Sequence, residues 1–245
     1  MRIFGINPVL ARLEAAPRSV RKVFLQRQQS DSKIYNLCRE AGIPIEALPE
    51  NQFRRLTAGI HSQGVIAETD GFAYVPLEEL FSAETALRPT LIVLDGINDP
   101  QNLGSMLRTL ACLGGFAVII PRHESVDVTE AALRVACGGE NYVPVAKVAN
   151  VSQTLLAAKR EGYWAAATVV SGGKSLFKQT LPQPLAVVFG SEGAGVRPGV
   201  LKNIDLMLTL PMSGAELSFN VAVACALVSY EVARQRTAHP AKKED

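Results

Sequence analysis

The sequence predicts an α/β protein in which a parallel sheet, built by the last two-thirds of the chain, follows a smaller α/β domain. Three observations lead there. From Thr90 onward, short runs that are apolar on both faces alternate with stretches of helical periodicity, the pattern of a parallel sheet covered on both sides. Residues 1–75 carry helix and strand signals of their own, and the pattern weakens between Tyr74 and Arg88. A chain of 245 residues with 48% apolar content is also long enough to fill two cores.

In the first domain, Asn7-Pro8 opens a short helix with Val9, Leu10 and Leu13 along its apolar stripe. Val23-Phe24-Leu25 reads as a strand. Ser30 or Asp31 caps a helix running to Arg39, with Ile34, Leu37 and Cys38 inward and Gly42 as its stop. Ile43-Pro44-Ile45 and Gly64-Val65-Ile66-Ala67 read as edge strands. Pro76, Glu78, Glu79 and Glu84 mark a linker over 76–88 that Pro89 closes. The second domain is expected over 89–237, with strands at 90–95, 116–120, 163–168, 185–189 and 206–210. Its helices are expected at 101–113, 127–137, 151–161 and 218–236, the first stopped by Gly114-Gly115. Residues 238–245 are polar and expected to be disordered. From Val221 to Val228 the last helix is apolar almost all round, which predicts burial on several sides, a partner subunit among them.

Composition narrows the function classes. No stretch approaches the roughly 18 uninterrupted apolar residues of a membrane span. Met1-Arg2-Ile3-Phe4-Gly5 lacks the apolar region of a secretory signal, so a cytoplasmic location is expected. Cys38, Cys112, Cys137 and Cys225 lie far apart and read as reduced thiols. His61, His123 and His239 are equally scattered, and no metal site is expected. A net charge of +2 does not announce a nucleic-acid binder. Arg12, Arg18, Arg21, Lys22, Arg27 and Lys33 nonetheless cluster against only Glu14 and Asp31, which fits either a solvated face or a phosphate-facing patch.

Three segments carry residues that a packed core does not need, each after an apolar strand, where open α/β sheets bind ligands. In the first, Asp99-Pro100 makes a turn, Asn102 precedes a helix, and Arg108 follows with five donors in a fixed fork that suit a phosphate or an oxyanion. A surface arginine with a capping asparagine is the plainer alternative. In the second, Gly190, Gly193 and Gly195 allow a sharp turn and close approach to a ligand around Glu192. The order of these glycines is not that of a dinucleotide fingerprint. Phe189 stands at the first glycine position of a hydrolase nucleophile elbow, and the only downstream histidine is His239. In the third, Leu210-Pro211-Met212 closes a strand, a loop carries Gly214 and Glu216, Ser218 reads as an N-cap, and Asn220 lies within the helix against its propensity.

In order, Asp99-Pro100-x-Asn102-x-Gly104-x-x-x-Arg108-Thr109, Gly190-Ser191-Glu192-Gly193-x-Gly195 and Leu210-Pro211-Met212-x-Gly214-x-x-x-Ser218-Phe219-Asn220-Val221 resemble the signature motifs of the SpoU-TrmH RNA 2′-O-ribose methyltransferases, over residues 89–236. Residues from Phe4-Gly5-Ile6-Asn7-Pro8-Val9 to Gln63-Gly64-Val65 are similar to the ribosomal-protein-like RNA-binding domain of the bacterial ribosomal RNA members. The resemblance implies a deep trefoil knot in the second domain, S-adenosylmethionine as cofactor, a homodimer, and methylation of a ribose 2′-hydroxyl, that of a guanosine in large-subunit ribosomal RNA. Transfer RNA, an adenosine at a drug-binding ribosomal site, or a non-catalytic RNA-binding or assembly role are the alternatives. By motif position it implies Arg108, Asn102, Glu192, Ser218 and Asn220 as catalytic residues. Thr168, Gly190, Leu210 and Phe219 fall at cofactor positions. Phe219 stands where the family usually has leucine, and His61-Ser62-Gln63-Gly64 replaces a usual His-Gln-Gly.

Overall fold

The computed structural model of the protein describes residues 1–27, 32–82, 88–214 and 217–238. Its N-terminal part has strands β1 (Arg2–Phe4), β2 (Val20–Gln26), β3 (Ile45–Leu48) and β4 (Val65–Thr69). They form one sheet in the order β1-β4-β2-β3, with β2 and β3 parallel and β4 antiparallel to both of its neighbours. Helices α1 (Ile6–Ala15), α2 (Ser32–Ala41) and α3 (Glu50–Thr57) accompany it. Val9 and Leu13 of α1 and Ile34 and Cys38 of α2 are buried, as the stripes require.

The larger sheet holds β5 (Thr90–Asp95), β6 (Phe116–Pro121), β7 (Val145–Val148), β8 (Trp164–Thr168), β9 (Lys174–Ser175), β10 (Leu185–Gly190) and β11 (Leu206–Thr209). The order is β7-β6-β5-β10-β8-β11-β9, and every pairing is parallel. One face is covered by α5 (Pro100–Leu113), α6 (Glu130–Ala136) and α9 (Val221–Ala238), the other by α4 (Leu77–Phe81), α7 (Val151–Arg160) and α8 (Pro198–Leu201). The continuous apolar runs follow from this. Ile92 and Leu94 of β5 pack with Leu103, Met106 and Leu110 of α5, while Leu91 and Val93 turn to Val151 and Leu155 of α7. Truncating any one of these buried side chains to alanine costs about 2–5 kcal/mol. The first of the two cores also takes in Ile3, Val9, Leu13, Val23 and Leu25, so the two sheets share apolar contacts.

Several expectations shift. The strand expected at 23–25 spans Val20–Gln26, and β4 is an interior strand rather than an edge, because β1 covers its outer side. The short β1, β7 and β9 and the polar α3 have no counterpart in the sequence reading. Asp99, not Asn102, caps α5: its side chain accepts from Gln101 N at 2.8 Å, and Asn102 sits in the first turn. Ser218 is not an N-cap. The last helix begins at Val221, where the Oδ1 of Asn220 accepts from Ala222 N at 2.9 Å and Val223 N at 3.4 Å. Asn220 is therefore a cap, which explains a residue that helix propensity does not. The expected basic patch is largely internally paired: Arg21 with Asp70, Lys22 with Glu46, Lys33 with Glu14, and a buried Arg12 with Glu140. The caps Ser30 and Asp31, Glu84 of the linker, Glu216, His239 and the tail 239–245 lie outside the described residues.

Candidate active site

The carboxyl ends of β8, β10 and β11 surround a cavity of about 280 Å³. Its apolar wall is Phe189, Leu210, Met212, Phe219, Val221 and Ala224, and its polar rim is Thr168 and the loop from Gly190 to Gly195, with Ser218. All four residues that the motifs assign to a cofactor, Thr168, Gly190, Leu210 and Phe219, thus line one space, together with Glu192 and Ser218.

The loop has its shape because of Gly190. A Cβ there would lie 2.0 Å from Gly195 C and 2.2 Å from Val196 N, so the chain returns directly over that position. Ser191 and Gly195 close the loop by exchanging backbone hydrogen bonds of 3.1 and 2.9 Å. The loop is anchored beyond its far end, by a contact that sequence reading missed. Asp95, buried at the end of β5, accepts from Arg197 N at 2.8 Å and Nε at 2.7 Å, with Nη2 at 2.6 Å. The buried carboxylate is compensated, as burial of a charge requires. An acid ending an otherwise apolar strand was the available signal.

Glu192 stands on this loop with two amides on one carboxylate oxygen. Its Oε1 accepts from Asn220 Nδ2 at 2.8 Å and Asn102 Nδ2 at 3.3 Å, and Asn220 Nδ2 also reaches Asn102 Oδ1 at 3.0 Å. Three residues from three separate motifs therefore form one cluster. Such a cluster fixes the orientation of a carboxylate while its second oxygen stays available to a ligand.

Ser218 lies exposed on the rim without a hydrogen bond among the described residues. Arg108 is not brought into the cluster. It lies six residues along α5 from Asn102, about 9 Å up the axis and roughly a third of a turn around it. Its side chain is exposed, makes no hydrogen bond or ion pair among the described residues, and does not line the cavity. Among the same residues no group of three His, Cys, Asp or Glu could hold a metal ion, and no helix is long and apolar enough to cross a membrane.

The SpoU rRNA Methylase family matches residues 89–230, more than half of the chain and the whole of the cavity. The chain belongs to the SpoU rRNA methylase family. Residues 2–75 match a second family, RNA 2′-O ribose methyltransferase substrate binding. Among relatives of this SpoU chain are proteins named 23S rRNA (guanosine-2′-O-)-methyltransferase RlmB. The one from Pseudomonas putida is 33% identical over 241 residues, covering 96% of each chain. The one from Coxiella burnetii is 34% identical with the same coverage. Among solved structures, the SpoU methyltransferase AviRb from Streptomyces viridochromogenes, in complex with AdoMet, superposes with a TM-score of 0.80. It is 22% identical, over 97% of this chain and 91% of that one, a likeness of fold.

Proposed function

We propose that the protein transfers a methyl group from S-adenosylmethionine to the 2′-hydroxyl of a guanosine in large-subunit ribosomal RNA, as a cytoplasmic homodimer. The observation that carries this reading is the match along the whole chain. Both the substrate-binding and the methylase families are represented, and relatives bearing that activity in their names cover 96% of it. We take residues 1–75 as the RNA-binding domain, 89–237 as the methyltransferase domain with the family's trefoil knot, and 76–88 as the connection.

The cavity suits the cofactor. Phe189, Leu210, Met212 and Phe219 offer an apolar wall for a purine, and Gly190, Gly193 and Gly195 present bare backbone to a ligand between Ser191, Glu192 and Ala194. Bound there, S-adenosylmethionine would supply an electrophilic methyl group. The chain's own part is to position and to stabilise charge. Glu192, held by Asn102 and Asn220, orients groups at the cavity mouth. Arg108 bridges the target phosphate and the oxygen that loses its proton, the proton passing to phosphate or water. A guanidinium, with a pKa above about 12, is a poor base and a good donor.

The homodimer reading rests on α9. Val223, Leu227 and Tyr230 are 46%, 42% and 65% exposed on a helix whose other side, with Cys225, Val228, Ser229 and Val232, is core, and the exposed Met212, Leu217 and Phe219 lie in the segment before it. A two-fold contact on this face sets each cavity beside the second copy. Arg108, which a single chain leaves away from its own cavity, is then the group that a partner can supply.

The deciding experiment is methyl transfer from labelled S-adenosylmethionine to RNA from a strain lacking the protein, with the product nucleotide mapped. Transfer to a 23S guanosine is expected. Transfer to tRNA or to an adenosine would reassign the substrate, and no transfer to any RNA would leave a non-catalytic binding role.

A further inference from the structure

One turn, Gly138-Gly139-Glu140-Asn141, stands between α1 and the part of α5 that carries Arg108. On its first side, a Cβ on Gly138 would lie 2.6 Å from the Cβ of Ala11 in α1. On its other side, a Cβ on Gly139 would lie 2.8 Å from the Cα of Arg108 and 3.1 Å from Leu107 O. N-terminal helix, turn and the backbone of Arg108 are thus stacked without room for a methyl group at either contact. Close packing of this kind ties the placement of the Arg108 backbone to that of the turn and of α1.

An ion pair crosses the first contact. Arg12 Nη2 reaches Glu140 Oε1 at 3.4 Å, with side chains only 7% and 0% exposed. Asn141 Nδ2 donates to the same oxygen at 3.1 Å and to Gly138 O at 2.9 Å, bracing the turn. Among the described residues, Arg12 Nε and Glu140 Oε2 are buried without a hydrogen-bond partner. Burial outweighs the opposing pull of the Glu140 backbone N–H, of Arg12 and of the Gly138 backbone N–H, and lifts the Glu140 carboxyl above its ordinary range. As a source of stability this is a poor arrangement, since apolar side chains of similar volume commonly do as well or better. An ion pair can instead select one relative orientation of the two surfaces it joins.

We propose that Arg12 and Glu140 are positioning residues for methyl transfer, holding the N-terminal part in one orientation against the turn behind Arg108 so that RNA captured by the one is presented in register to the other. This rests on the proposed function and on the part given there to Arg108. It assigns the pair to the productive step rather than to affinity, because the RNA-facing and cofactor-facing surfaces stay intact when the pair is removed.

The test uses the full chain, ribosomal RNA from a strain lacking the protein, and the double variant Arg12→Met, Glu140→Leu. Expected is a melting temperature no lower than wild type, with KM for RNA and Kd for S-adenosylmethionine within about twofold, and kcat lower by roughly 10- to 100-fold, the scale of a misplaced reacting group. Glu140→Gln, which keeps the shape, should move kcat the same way by a smaller factor, and it decides by the same split if the double variant does not fold. An unchanged kcat would overturn the proposal. So would a loss shared equally by kcat, RNA affinity and melting temperature, which marks an ordinary fold contact. Wild-type protein on the same RNA separates the two claims: its inactivity would refute the proposed function and this inference with it, whereas an active wild type with a normal double variant refutes the inference alone.

Discussion

Asn220 joins local structure to chemistry through the two ends of one amide. Its oxygen caps α9, and its nitrogen holds Glu192 and Asn102. Asn220→Asp separates the two. A carboxylate still accepts from Ala222 N, so the cap survives, but the donor is gone and a second negative charge faces Glu192. Melting should stay near wild type while methyl transfer falls at least tenfold; equal activity would remove the cluster from the mechanism. Asn220→Ala loses both functions and should also cost about 0.5–2 kcal/mol in stability. At Arg108 the outcome is expected to be selective. Arg108→Ala should abolish transfer and leave S-adenosylmethionine affinity unchanged, since Arg108 does not line the cavity. Arg108→Lys should restore little, because a point charge does not replace a planar fork.

At the scale of elements, the loop between β10 and α8 is the most constrained piece. Gly190→Ala places a methyl group onto the backbone of Gly195 and Val196, neither of which is a flexible side-chain end. The loop must reopen, and affinity for S-adenosylmethionine, read by calorimetry, should drop more than tenfold with the sheet intact. Thiol chemistry checks the core beneath it. Burial pushes the Cys225 thiol up to about 12 and Cys38 up to about 11, so neither forms the nucleophilic thiolate near neutral pH. In the native protein iodoacetamide should label the exposed Cys112 and spare both; rapid labelling of Cys225 would place α9 elsewhere. This scale also shows what was legible in the sequence. The long strands β5, β6 and β10 are readable because both faces are buried and their middles, such as Leu91, Ile92, Val93 and Leu94 of β5, are continuous apolar runs. β7 carries Lys147 and has four residues, β9 has two, and α3 buries only Phe53 and Thr57, so none rises above its surroundings. The start of α9 falls later than the sequence suggests because two cap-forming residues lie two positions apart, Ser218 and Asn220, and it is Asn220 Oδ1 that receives the Ala222 and Val223 N–H groups. The motifs pick out residues that the fold brings to the cavity and its rim, Arg108 excepted, but the Asp95–Arg197 anchor and the three-way amide and carboxylate cluster join positions up to 118 residues apart, which no local pattern encodes.

For the whole molecule the question is whether one chain holds a complete site. The Glu192 cluster and the cavity belong to one chain, Arg108 stands apart from them, and α9 leaves Val223, Leu227 and Tyr230 uncovered. If two copies meet on that face, sedimentation at micromolar concentration should give twice the 26.3 kDa of the chain, and Leu227→Glu should yield monomers without activity. Mixed dimers test the composition of the site more directly. Arg108→Ala and Glu192→Gln protein should each be inactive alone. When the two are dissociated, mixed and reassociated at random, half of the dimers carry one chain of each kind. If Arg108 serves the partner's cavity, each mixed dimer has one site with both groups intact, and the mixture should regain about one quarter of wild-type activity. If Arg108 instead folds back to its own cavity when RNA binds, every site in every dimer lacks one group and no activity returns. Recovery therefore distinguishes a site shared between two chains from one completed by motion within a single chain, without relying on the geometry of either.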